Sequence, residues 1–155
     1  MEGWLKWSSV DGECDLVAAG DDSAGVRMFV SAAGGTTRLN VYAREAWPGS
    51  PIAAGFFDAD LSGYAGKWVH LAVAYDPSAG NGTWTLFVEG RPAGAAILNC
   101  RRPTMESYFR SGAFSLGAAD RPFGCSLDMW RISSGVVRPE ELLWRAYRRL
   151  TISMR

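Results

Sequence analysis

Two stretches decide the fold class. Trp68-Val69-His70-Leu71-Ala72-Val73-Ala74-Tyr75-Asp76 is followed, seven residues later, by Trp84-Thr85-Leu86-Phe87-Val88-Glu89-Gly90. In the first run Val69, Leu71, Val73 and Tyr75 occupy alternate positions, which puts them on one face of an extended strand. The segment between the runs is rich in turn formers, and Glu89-Gly90 offers a tight turn in which glycine supplies a positive φ. The pair reads as an antiparallel hairpin with one buried face.

The same signals extend outward from this hairpin. Period-two alternation or aromatic enrichment marks strands at residues 4–8, 15–19, 25–32, 38–45 and 52–57, and again at 91–98, 113–118 and 126–133. Gly34-Gly35 and residues 63–67 read as turns, and Trp47-Pro48-Gly49-Ser50-Pro51 as a loop. Near the end, Pro139-Glu140-Glu141 places proline and acids in a first helical turn. Leu142, Leu143, Ala146, Tyr147 and Leu150 follow at helical spacing, with arginines toward the far end. The chain is thus expected to be a single all-β domain over 1–155. It is read as a two-sheet antiparallel sandwich over about 3–142 with a short C-terminal closing helix over 139–150. Val69, Leu71, Val73, Leu86, Val88, Leu116, Trp130 and Ile132 are its expected core.

Composition narrows the function classes. The 155 residues are 48% apolar, enough for one core, and 16 basic residues balance 16 acidic ones. Such a balance gives no field for nucleic acid or for an acidic membrane surface. No apolar run is long enough to span a bilayer. The opening Met1-Glu2-Gly3-Trp4 has no basic and apolar leader, which leaves a cytosolic protein or a domain of a longer secreted one.

Taken in order, the Trp68 and Trp84 runs, Phe114-Ser115-Leu116-Gly117, Phe123-Gly124-Cys125-Ser126-Leu127-Asp128 and Arg131-Ile132 resemble the LamG-like, concanavalin A-like lectin/glucanase jelly-roll family. Gly3-Trp4-Leu5-Lys6 resembles an early strand of that family, and Pro139-Glu140-Glu141-Leu142 its closing helix. The resemblance implies a jelly-roll sandwich and a module from an extracellular or cell-surface protein. Two departures stand out. The family usually has a strand before the one matching Gly3-Trp4, and Met129 replaces the acid that commonly follows the position of Asp128. A domain lacking its first strand would leave residues 3–8 as an open edge. Trp4, Leu5 and Trp7 would then favour self-association, either there or through the apolar helix side at Leu142, Leu143, Ala146 and Leu150.

Enzymes of this fold that cleave β-glucans carry Glu-x-Asp-x-x-Glu along one strand, which aligns three carboxylates on one sugar bond. This sequence has no such run, and Asp58 with Asp60 reads as a pair of turn acids. No phosphate loop, nucleophile elbow or zinc-protease helix is present. The only histidine, His70, sits on a strand without a neighbouring acid in sequence and reads as structural or surface-exposed rather than catalytic. The expectation is a protein that is not an enzyme, with a divergent glycoside hydrolase of the same fold as the alternative.

Calcium is the one cofactor the resemblance brings in, at rim-loop acids such as Asp21, Asp22 and Asp76. Asp76 is equally a simple turn former. The resemblance also implies a disulfide between Cys100 and Cys125, with two buried free thiols as the alternative. Asn81-Gly82-Thr83 is a glycosylation acceptor or an ordinary turn. For ligand binding, the polar stripe Arg38, Asn40, Tyr42 and Arg44 followed by Trp47 combines hydrogen-bonding groups with an aromatic platform. The alternative is a solvated face with Trp47 capping the core, and core packing is expected for most other tryptophans. The resulting partners are a glycan or a protein ligand, with a scaffold packing against a neighbouring domain or a second copy as the competing role.

Overall fold

A computed structural model describes residues 1–7, 12–20, 25–44, 53–76, 78, 83–97, 114–116, 125–133 and 141–142. Among these residues lie ten strands: β1 (Glu2–Trp7), β2 (Gly12–Gly20), β3 (Gly25–Ala33), β4 (Thr36–Arg44), β5 (Ala53–Phe56), β6 (Val69–Asp76), β7 (Thr83–Val88), β8 (Arg91–Ile97), β9 (Phe114–Leu116) and β10 (Cys125–Arg131). A 3-10 turn, Ser62–Tyr64, follows β5, Glu141 is also in 3-10 conformation, and no α-helix occurs among the described residues. The closing helix expected over 139–150 lies outside them, apart from Glu141 and Leu142.

The strands form two five-stranded sheets, ordered β10-β1-β6-β7-β8 and β5-β4-β3-β2-β9. All pairs are antiparallel. Alternation explains how they pack. Leu5, Trp7, Val69, Leu71, Val73, Trp84, Leu86 and Val88 from the first sheet share one buried cluster with Cys14, Leu16, Val17, Val26, Met28, Val30, Leu39 and Val41 from the second. Two-residue connections close both hairpins at their tips. Gly34 and Gly35 have φ of 60° and 81°, and Glu89 and Gly90 have φ of 51° and 73°, the double left-handed geometry that matches strand twist.

Three register shifts interrupt the pairing, one of them at Ala93 of β8, and the other two change which residues face inward. In β2, Asp15 pairs with Phe29 and Val17 with Met28, so Leu16 is the extra residue. Leu16 and Val17 can therefore both be buried, at 1% and 0% exposure. In β10, Met129 and Trp130 together oppose Gly3, since Glu2 pairs with Arg131 and Trp4 with Asp128. Met129 takes φ 50° there. The shift turns Trp130 inward against the core cluster.

Several expectations about packing need correcting. Among residues 3–8, the described ones (3–7) are not an open edge: β1 is bonded to β10 on one side and β6 on the other. Leu142 is buried, so it offers no apolar patch. Leu116 and Ile132 are 49% and 42% exposed rather than core, because Leu116 closes a three-residue edge strand and Ile132 lies past the last pair of β10. Trp68 is 44% exposed, because it precedes β6 on the side opposite Val69. Trp4, Trp7 and Trp84 are buried as expected.

Candidate functional site

Because Leu39 and Val41 point into the sandwich, Arg38, Asn40 and Tyr42 face away from it, on the outer side of the β5-β4-β3-β2-β9 sheet. Register builds the rest of that face. Arg38 lies opposite Ser31, Asn40 opposite Phe29, and Tyr42 opposite Arg27 on β3. On the other flank Phe56 of β5 lies opposite Asn40. On β2, Glu13 lies opposite Ser31 and Asp15 opposite Phe29. Residues far apart in the chain thus form one patch of aromatic, amide and charged groups.

The charges on this patch are partly spoken for. Arg27 Nη2 stands 3.2 Å from Glu13 Oε2, and its Nε donates to Asp15 Oδ1. Its guanidinium also lies 4.1 Å from the centroid of Phe29. Arg38 sits 4.9 Å over the Phe56 ring and forms no ion pair among the described residues. Phe56 itself is 52% exposed, so the ring keeps area for a ligand. Asn40 Nδ2 donates to Ser31 Oγ at 2.8 Å and toward the carbonyls of Arg38 and Phe29. That orients the side chain, and among the described residues no donor reaches its amide oxygen. An oriented acceptor, a cation and an exposed ring are the groups that recognise hydroxyls and apolar ring faces.

Of the stripe read from sequence, Arg38, Asn40 and Tyr42 are brought together. Arg44 ends β4 but its side chain is outside the description, and Trp47 lies outside the described residues. Phe56, Phe29 and Arg27 were not singled out from sequence. Their signal was present, since alternation in 25–32 already placed Arg27 and Phe29 on the polar side of that strand.

Asp60 and Asp76 serve turns. Asp60 Oδ1 accepts from the Ser62 backbone N–H at 2.9 Å, the Ser62 hydroxyl at 2.6 Å and the Thr37 N–H at 3.3 Å. Those bonds, the Ser62 hydroxyl first, hold its carboxyl below the usual range. Asp76 Oδ1 accepts from the Ser78 N–H and hydroxyl at 2.8 Å and 2.6 Å. Asp21 and Asp22 lie outside the described residues, and the described ones gather no group of three or more acids, cysteines and histidines. Of the acids expected to hold calcium, only Asp76 lies among the described residues, and there it accepts from the Ser78 turn.

His70 and Glu2 face outward on the other sheet yet are buried, at 0% and 3% exposure. His70 Nε2 lies 3.2 Å from Glu2 Oε2, with the Trp4 ring edge-on at 5.4 Å. Arg131 Nε donates to Glu2 Oε1 at 2.8 Å, and its Nη2 reaches both that oxygen and the Glu141 carbonyl. This cluster ties Glu141 to the sheet, with His70 and Glu2 shielded from solvent. Cys125, expected opposite Cys100, has its sulfur 3.4 Å from that of Cys14, while Cys100 and the glycosylation sequence at 81–83 lie outside the described residues apart from Thr83.

No helix among the described residues is long and apolar enough to cross a membrane. Neither among curated proteins nor among solved structures does any match the chain. One family model, described as Concanavalin A-like lectin/glucanases superfamily, matches residues 1–143. With two antiparallel sheets sharing one core and a match over nearly its whole length, the chain belongs to the concanavalin A-like lectin/glucanase superfamily as a LamG-like domain.

Proposed function

We propose that this domain is a non-catalytic recognition module of a larger extracellular protein, and that it binds a carbohydrate on the outer face of the β5-β4-β3-β2-β9 sheet. The observation that carries this reading is the row Arg38–Asn40–Tyr42 beside the half-exposed ring of Phe56. A pyranose ring stacks its C–H face on an aromatic and presents hydroxyls sideways, where the Asn40 amide oxygen and the Arg38 guanidinium would meet them. Family membership supports a binding role, because the superfamily contains lectins, and it supports an extracellular setting, which is typical of LamG-like domains.

The non-catalytic half of the reading rests on the carboxylates. Glycoside hydrolysis needs two of them flanking one bond. Among the described residues of this face, Glu13 and Asp15 are both held by Arg27, and nearby Asp60 accepts from its own turn.

A glycan array on the intact domain, followed by calorimetry, tests the proposal. Phe56→Ala or Asn40→Ala should weaken binding by about 1–3 kcal/mol, the range for a buried contact at a binding hot spot. Thr85→Ala, on the opposite sheet, should leave affinity unchanged. Binding that is indifferent to Phe56 and Asn40, or turnover of any polysaccharide, would contradict it.

A further inference from the structure

We infer that Cys14 and Cys125 are a redox site: under oxidising conditions they close a reversible disulfide that joins the two sheets of the sandwich. Cys14 lies on β2, in one sheet, and Cys125 opens β10, the edge strand of the other. They are 111 positions apart in sequence, yet their sulfurs are 3.4 Å apart. A disulfide needs about 2.05 Å between sulfurs, so closure asks for an approach of roughly 1.4 Å. Cys125 begins its strand, where small side-chain and backbone adjustments absorb such a movement. Nothing must be unpacked first, because the two thiols already touch across the core.

The two cysteines differ in a way that sets the order of events. Cys14 is buried within the core cluster, and Cys125 is only partly buried. The shared S–H···S contact lowers the more accessible Cys125 thiol below its ordinary range, while the same pairing, with burial behind it, raises Cys14. Cys125 is thus the entering thiol. Its thiolate attacks one sulfur of a low-molecular-weight disulfide such as oxidised glutathione, which leaves as one thiolate and creates a mixed disulfide on Cys125. Cys14 then loses its proton and attacks the Cys125 sulfur, expelling the second thiolate. The balance is two protein thiols plus one small disulfide giving one protein disulfide plus two small thiols. The two protein protons end on the released thiolates.

The consequence is a covalent cross-link between the two facing sheets, added to the side-chain packing of their shared core cluster. A cross-link across so long a stretch of chain restricts the unfolded state strongly, and the thermal midpoint should rise by roughly 10 °C on oxidation. In the reduced form both thiols pack as small apolar groups and the fold persists.

The test is to equilibrate the full chain with mixtures of oxidised and reduced glutathione, block free thiols with an alkylating agent at low pH, digest, and identify linked peptides by mass spectrometry. The expected result is a Cys14–Cys125 link with Cys100 alkylated, a raised thermal midpoint, and loss of both on adding dithiothreitol. Cys100→Ser should retain the link and the shift. A Cys100–Cys125 or Cys14–Cys100 link would overturn the inference. So would alkylation of both Cys14 and Cys125 in fully oxidised glutathione. The mapping uses the unmutated chain, so a folding defect in a Cys14 variant has no bearing on the outcome.

Discussion

Gly3 is where a single missing side chain matters most. An added Cβ would meet the Trp130 ring at 2.6–2.7 Å, closer than real Cβ atoms approach anything. The bulge at Met129 swings Trp130 over this position, so the glycine and the bulge depend on each other. Gly3→Ala should therefore destabilise the domain by about 1–3 kcal/mol, the cost of overpacking a filled site, measured as a lower urea midpoint. An unchanged midpoint would mean that Trp130 moves away freely. Residue-level reading of the sequence succeeded wherever parity held, as for Val69, Leu71 and Val73. It missed Leu116 and Ile132, because alternation says which side a residue faces but not whether the element ends there. The methionine-for-acid departure at 129 also takes on a structural sense here: Met129 is a bulge residue that is 40% exposed.

The element scale shows what holds the connections. Asp60 ties the Ser62–Tyr64 turn to the start of β4, since one carboxylate oxygen accepts from both Ser62 and the Thr37 N–H. Its carboxyl is lowered in the folded chain. A lowered acid contributes stability that is present above its unfolded value and lost as pH falls through its folded one. The acid limb of a stability profile, below about pH 4, should carry part of this dependence. Asp60→Asn keeps an accepting oxygen but removes the charge, so its profile should be flatter there than that of the unmodified chain. Equal slopes would contradict the role. All ten strands were legible in the sequence, because alternation and turn chemistry act between neighbours along the chain. The pairings β10-β1-β6 and β2-β9 were not, because contacts between distant strands leave no local trace.

For the whole molecule that blind spot mattered most at β1. Read against its relatives it was an edge lacking its neighbour; in the structure it is an inner strand with partners on both sides. The true edges are poor templates for a second copy. β5 and β9 have four and three residues, β10 is kinked by its bulge, and β8 carries Pro92 beside a register shift. Hydrogen exchange separates the two arrangements. The amides of residues 2–7 should be among the slowest in the domain, exchanging through global unfolding, whereas those of β9 should be fast. Rapid exchange along β1 would restore the open edge.

The candidate site was only half legible for the same reason. Arg38, Asn40 and Tyr42 lie on one strand and were readable from its alternation. Their partners Phe56, Phe29 and Arg27 join them only through sheet register. The central claim is that this assembled face, and not a loop rim, is where the domain recognises its ligand. The most direct measurement is a two-dimensional NMR titration of the isotope-labelled domain with a panel of neutral and acidic oligosaccharides. The account predicts saturable shifts at the amides of residues 27–31, 38–42 and 56, with the opposite sheet around Thr85 and Phe87 unmoved. Shifts confined to the turn at 62–67 or around Asp76 and Thr83, or no saturable shift with any saccharide, would contradict it.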